Sequence, residues 1–321
     1  MSEFKFTRDD IERAAAVVYR ALAPTPQFAW PLLGSELGAE AWVKHENYTP
    51  TGAFKVRGGL VYFDELVARG APPAGVISAT RGNHGQSVGY AARKNNIPAT
   101  IVVPHGNSRD KNAAMRALGV ELIEHGADFQ ESREYAARLA AERNLHMVPA
   151  FHSHLVRGVA TYALELLSAV PAAATVYVPI GQGSGICGMI AARDALGLKT
   201  EIVGVVSAHA PAYKLSFEAH KHVEHAVTTE LADGMACRVP DDAALDIIWR
   251  GAARVLAVTD DEVAAAMRLY FSATHSVAEG AGAAPLAAAW QERERNRGRR
   301  IALVLSGGNV DRDMFARVLA G

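Results

Sequence analysis

Thr175-Val176-Tyr177-Val178-Pro179-Ile180-Gly181-Gln182-Gly183-Ser184-Gly185-Ile186-Cys187-Gly188 runs from a β-branched stretch through a glycine-rich turn into an Ala-rich, helix-spaced stretch. A strand that passes through such a turn into a helix is half of a parallel βαβ unit. The alternation recurs along the chain. Gly75–Ser78, Thr100–Val103, Glu121–Ile123, Thr175–Ile180, Glu201–Val206 and Arg300–Leu305 read as strands. Residues 84–95, 109–118, 128–143, 157–168, 185–196 and 260–273 carry helical spacing, and Thr259 with Glu262 forms a capping box ahead of the last. The expected fold class is α/β with open parallel sheets. No Ser/Gly-rich linker divides the chain, so any second domain must be built by chain that leaves a sheet and returns to it.

Composition narrows the function classes. The 321 residues are enough for one large domain or two modest ones; half are hydrophobic and 21% are charged, as in globular enzymes. A net charge of −1 offers no electrostatic footprint for nucleic acid or an anionic membrane. The two cysteines, Cys187 and Cys237, argue against a disulfide framework and for a reducing compartment. The polar start, Met1-Ser2-Glu3-Phe4-Lys5, does not read as a signal peptide, and no run reaches the length of a membrane span. A cytoplasmic location is expected.

Ligands of open α/β sheets bind beyond the carboxyl ends of the strands, and four segments there or beside them stand out. Asn47-Tyr48-Thr49-Pro50-Thr51-Gly52-Ala53-Phe54-Lys55-Val56-Arg57-Gly58-Gly59 sets Lys55 among small and apolar residues. Burial there disfavours the ammonium, and a neutral amine is the form that condenses with an aldehyde. Lys44 and Arg57 read as ordinary solvated charges. Thr80-Arg81-Gly82-Asn83-His84-Gly85 is a turn at a helix N-terminus, suited to a carboxylate, with a hydroxyl from Thr80 and an amide from Asn83. The 181–185 loop forms an anion nest, with Ser184 adding a hydroxyl, and a phosphate monoester is its natural guest. Residues 183–188 also match G-x-G-x-x-G, but a dinucleotide needs an acidic residue at the end of the next strand. Val206-Ser207 stands there. Ser306-Gly307-Gly308-Asn309 places a hydroxyl, not a carboxylate, at the end of a strand.

In this order the four segments closely resemble those of the threonine dehydratase and serine racemase family of fold-type II pyridoxal-phosphate enzymes. The resemblance runs from Ala23-Pro24-Thr25-Pro26 to the final helix. It implies the two-domain, open parallel-sheet fold of the tryptophan-synthase-β type. Residues 1–70 and 151–321 would form a large cofactor-binding domain, and 71–150 a small domain closing over the substrate. It implies Lys55 as the lysine that carries pyridoxal 5'-phosphate, Phe54 as its flank and Asn83 as a donor to the ring hydroxyl. Gly181, Gln182, Gly183, Ser184 and Gly185 would cradle the phosphate, and Ser306 would face the pyridine nitrogen. Gly234, within Ala232-Asp233-Gly234, and Glu279 would line the cofactor pocket. Thr80, Arg81, Gly82, Asn83 and His84 would receive the substrate carboxylate. A homodimer is implied as well.

A serine opposite the pyridine nitrogen cannot keep it protonated as a carboxylate would, which favours expulsion of a leaving group over transamination. The expected reaction is dehydration and deamination of a β-hydroxy-α-amino acid such as L-threonine, L-serine or threo-3-phenylserine to a 2-oxo acid and ammonia. Alternatives are β-replacement, as in cysteine synthases, dehydration of 3-hydroxyaspartate, or a silent cofactor-binding protein. Arg81 stands where racemases of this type have a second serine. Val206-Ser207 replaces the Glu-Pro pair of metal-activated members, so no divalent metal is expected. Gly158-Val159-Ala160-Thr161 departs from Gly-Gln-Gly-Thr, and Gln182 and Ser184 stand where relatives have glycines. His220, His222 and His225 read as a solvated helix end, His152 and His154 as capping residues, and Cys187 and Cys237 as packing. Tyr48, Tyr162 and His84 are expected walls for the substrate side chain.

Overall fold

The computed structural model describes residues 3–70 and 72–321. Its strands in chain order are β1 (Gln27–Ala29), β2 (Glu40–His45), β3 (Val76–Ala79), β4 (Ala99–Val103), β5 (Glu121–Glu124), β6 (His146–Met147), β7 (Thr175–Pro179), β8 (Glu201–Ser207), β9 (Arg254–Val258) and β10 (Arg300–Leu305). They form a six-stranded sheet, β1-β2-β10-β7-β8-β9, and a four-stranded sheet, β5-β4-β3-β6. Every pairing is parallel except the antiparallel edge pair β1–β2. The second sheet is inserted between β2 and β7 of the first, the departure and return that the missing linker required.

Helices cover both faces of the larger sheet, and its strands alternate between two cores. Val176, Val178, Ile202, Val206, Ala302 and Val304 face one cluster; Tyr177, Val203, Val205, Ile301, Leu303 and Leu305 face the other. Burial on both sides is why these strands read as continuous apolar runs. The smaller sheet repeats the pattern, with Val76 and Ile101 on one side and Ile77 and Val102 on the other. Among the described residues no helix is long and apolar enough to cross a membrane.

The helix Lys55–Ala68 was not foreseen, because Gly58 and Gly59 weaken its helical signal. Both glycines are demanded by close packing. The helix Ser153–Ala169 crosses so tightly that a Cβ on Gly58 would lie 2.8 Å from the Leu155 carbonyl oxygen and one on Gly158 2.4 Å from the Arg57 carbonyl oxygen, while a Cβ on Gly59 would lie 2.3 Å from Ser87 Oγ of the helix Asn83–Lys94. Gly158→Ala is therefore expected to cost about 1–3 kcal/mol through overpacking against backbone, read by urea denaturation.

Lys44 and Arg57 are not solvated. Both side chains are fully buried in an ion network behind the helix that Lys55 begins. Arg57 Nε donates to Glu46 Oε2 at 2.8 Å and its Nη1 to Glu165 Oε1 at 2.6 Å, while Lys44 Nζ reaches Glu165 Oε2 at 2.5 Å. The two anions offset the two cations, which is what allows all four to be buried. Burial works against the Arg57 cation, but Glu46 and Glu165 outweigh it and hold its pKa above the usual value.

Candidate active site

The carboxyl ends of β3, β7 and β10 lead into Thr80, Gly181 and Ser306, and these loops line one cavity between the two sheets. Lys55 reaches it from the first residue of its helix. A tight turn delivers it there: Gly52 has φ +66, and a Cβ on it would lie 2.4 Å from Asn309 Oδ1. Ala53 bridges Gly307, and the Phe54 amide donates to the Ser306 carbonyl at 3.0 Å. The lysine and the Ser306 loop are thus tied together through backbone. Lys55 Nζ donates to Ser184 Oγ at 2.8 Å and lies 5.2 Å from the Phe54 ring centre. Burial lowers the Lys55 pKa to about 8. Such an amine is substantially neutral at mildly alkaline pH and suited to a carbonyl partner.

At Gly181 and Gly183 the 181–185 loop approaches its neighbours too closely for a side chain. A Cβ on Gly181 would lie 2.4 Å from the Gly234 carbonyl oxygen, and Gly183 has φ +96 with Ala244 Cβ 2.7 Å from its own would-be Cβ. The loop opens the helix Ser184–Ala195, whose first amides and dipole give an anion site at the cavity wall. Gln182 turns its amide to Cys237 Sγ at 3.5 Å. Burial pushes the Cys237 thiol up to about 12 and Cys187 higher still, so both are packing residues, as expected.

At the opposite wall Thr80 has a different task from the one expected. Its Oγ1 accepts from the amides of Gly82 at 3.0 Å and Gly85 at 3.3 Å, so it caps its own loop and keeps only its proton for a ligand. The helix Asn83–Lys94 leaves the amides of Asn83 and His84 as its uncommitted donors. Asn83 donates through Nδ2 to Glu279 Oε1 at 2.6 Å and accepts from Asn309 Nδ2 at 2.9 Å. Burial lowers the His84 pKa to about 3, so the ring is neutral throughout the working range, and its Nε2 has no hydrogen-bond partner among the described residues. Arg81 lines the cavity and makes no ion pair with a described residue.

All the expected cofactor and carboxylate residues meet at this cavity: Phe54, Lys55, Thr80, Arg81, Gly82, Asn83, His84, Gly181, Gln182, Gly183, Ser184, Gly185, Gly234, Glu279 and Ser306. Tyr48 and Tyr162 do not line it. Tyr48 is 52% exposed and bonded to Ser276, because the loop after β2 turns its ring outward onto His45. Tyr162 lies behind Phe54, 5.9 Å edge to face, with its hydroxyl donating to the Gly185 carbonyl at 3.2 Å. His152 caps its helix, as expected. His222 pairs with Asp242 at 2.5 Å, and among the described residues no three metal-ligating side chains gather. Lys111, Phe129 and Met235 also line the cavity and were missed. Lys111 and Phe129 follow β4 and β5, and the carboxyl-end criterion applied to those strands would have flagged both loops.

A neutral amine, an anion nest that excludes side chains and a buried hydroxyl suit an aldehyde that carries a phosphate. The family model described as pyridoxal-phosphate dependent enzyme matches residues 18–307. The chain belongs to this family. It is 36% identical over 277 residues to an L-threonine ammonia-lyase of Geobacter sulfurreducens, covering 86% of this chain and 69% of that one. It is 31% identical over 314 residues to an L-threonine ammonia-lyase of Thermotoga maritima, covering 98% and 78%. The crystal structure of a pyridoxal 5'-phosphate-dependent aspartate racemase superposes with a TM-score of 0.91 at 26% identity, over 98% of this chain and 99% of that one. As in this family, the cofactor is pyridoxal phosphate, and the fold is that of the fold-type II enzymes.

Proposed function

We propose that the protein dehydrates and deaminates a β-hydroxy-α-amino acid with an uncharged side chain, such as L-threonine, L-serine or threo-3-phenylserine, to a 2-oxo acid and ammonia. The observation that carries this reading is the Lys55 amine, lowered to about 8, in a cavity where the Ser306 loop offers a hydroxyl in place of a carboxylate. The likeness to threonine ammonia-lyases supports it.

Pyridoxal phosphate, when bound, withdraws electrons from the substrate α-carbon, which acidifies its proton and loosens the β-hydroxyl. Lys55 would hold the cofactor and, as a free neutral amine, would take the α-proton at Nζ. Ser184 Oγ steadies that nitrogen. The amides of the 181–185 loop would hold the phosphate, and Ser306 would offer the ring nitrogen a hydroxyl, which cannot keep it charged as a carboxylate would. The Asn83 and His84 amides, the Thr80 proton and Arg81 take the substrate carboxylate. Phe129 and Met235 face the substrate side chain with apolar surface. We assign residues 71–150 to the closing domain and the rest to the cofactor domain. The assembly is assigned as a cytoplasmic homodimer, to be checked by light scattering and cell fractionation.

The test is 2-oxo acid release by the loaded protein with L-threonine, L-serine and the diastereomers of 3-phenylserine and 3-hydroxyaspartate. Turnover of at least one substrate with an uncharged side chain is expected, and none of O-acetylserine with sulfide. A loaded protein, showing the visible absorption of its cofactor, that turns over none of them would sink the proposal.

A further inference from the structure

The cavity holds two carboxylates and a lysine that the proposed chemistry leaves unused. Lys111 belongs to the helix Arg109–Ala117 on the side of the smaller sheet, and its side chain is 5% exposed. Its Nζ lies 2.6 Å from Asp233 Oδ2 and 3.5 Å from Glu279 Oε2, both contributed by the opposite side of the cavity. The stem runs directly over Gly82, where a Cβ would lie 2.4 Å from Lys111 Cδ. The ammonium therefore ends beside the loop that takes the substrate carboxylate. Asp233 keeps 31% of its side chain exposed and lines the cavity.

Counting charges on the wall decides what the cavity accepts. Arg81 and Lys111 are positive, Asp233 and Glu279 negative, and Lys55 works as the neutral amine. Asp233 and Glu279 hold the Lys111 cation so firmly that its pKa is raised in spite of burial. Burial also pushes the Glu279 carboxyl up, yet Lys111 stays fully matched by Asp233 whether Glu279 is ionised or not. One incoming carboxylate finds Arg81 and the free amides of Asn83 and His84. Among the described residues a second finds no free cation on this wall and meets Asp233 instead, a like charge at close range.

We propose that Asp233 is a specificity-determining residue: by taking up Lys111 it reserves the cavity for β-hydroxy amino acids with uncharged side chains and shuts out those with a second carboxylate. This rests on the dehydratase reading of the same cavity. Asp233→Asn keeps the volume and leaves the ammonium only the longer 3.5 Å contact to Glu279, whose carboxyl burial pushes up, so that an incoming carboxylate can engage it. The kcat/KM ratio of threo-3-hydroxyaspartate over threonine should then rise about tenfold or more, through KM, and the Kd of succinate for the loaded protein, by calorimetry, should fall by about the same factor. Lys111→Met in the Asp233→Asn background should erase both gains. Asp233→Ser serves in the same way if the asparagine variant does not fold. An unchanged ratio with unchanged succinate binding, or gains that survive removal of Lys111, would overturn the proposal. Succinate binding needs no turnover, so it reads Lys111 even if the dehydratase reading fails.

Discussion

Replacing Lys55 with alanine is expected to lower 2-oxo acid release from the best substrate by about 10⁴-fold, the upper range for losing a positioned proton-transfer group. Among the described residues the one other amine that lines the cavity is Lys111, and it is held as a cation by Asp233. Lys55→Arg should not rescue, because a guanidinium is never neutral at working pH. The same residue sets a pH dependence. Its folded pKa, about 8, lies below the usual 10.5, so the reactive neutral form is lost as pH falls through about 8. Uptake of pyridoxal phosphate by cofactor-stripped protein, followed by stopped-flow absorbance, should slow about tenfold per pH unit below that point and level off above it. A rate still climbing beyond pH 10 would mean a solvated lysine.

The largest loss of stability is expected from Arg57→Met. This removes one of two cations from a fully buried cluster and leaves Glu46 and Glu165 facing Lys44 alone. Breaking a buried ion network on one side typically costs about 3–5 kcal/mol, since the orphaned charge stays out of water. Urea denaturation of equally loaded wild-type and variant proteins measures it. Arg57→Lys should recover only part, because an ammonium cannot hold both carboxylates with a planar fork. A cost below about 1 kcal/mol would place the cluster in a wetter environment than its burial indicates.

What the sequence made legible was whatever local chemistry dictates. Gly183 has to adopt a positive φ, and Gly181 has to let the Gly234 carbonyl approach, so glycine is the residue that fits at either position and the loop announces itself. The apolar strands β7, β8 and β10 are visible because both faces are buried. β2 was hidden because it carries Lys44 and His45 inward, and β1 and β6 are too short to show a pattern. Charges were misread, as Arg57 was, or missed, as Lys111 was, where their partners lie far along the chain. Arg57 finds Glu165, and Lys111 finds Asp233, across more than a hundred residues that no local window spans. Tyr48 was misplaced for the same reason, since its hydroxyl bonds Ser276, far along the chain.

The central claim is that Lys55 carries the cofactor. Borohydride reduction of the loaded protein, followed by protease digestion and mass spectrometry, should find the pyridoxyl phosphate mass on the peptide containing Lys55 and on no other. The label on Lys111, on Lys44 or on a surface lysine, with Lys55 unmodified, would contradict the account.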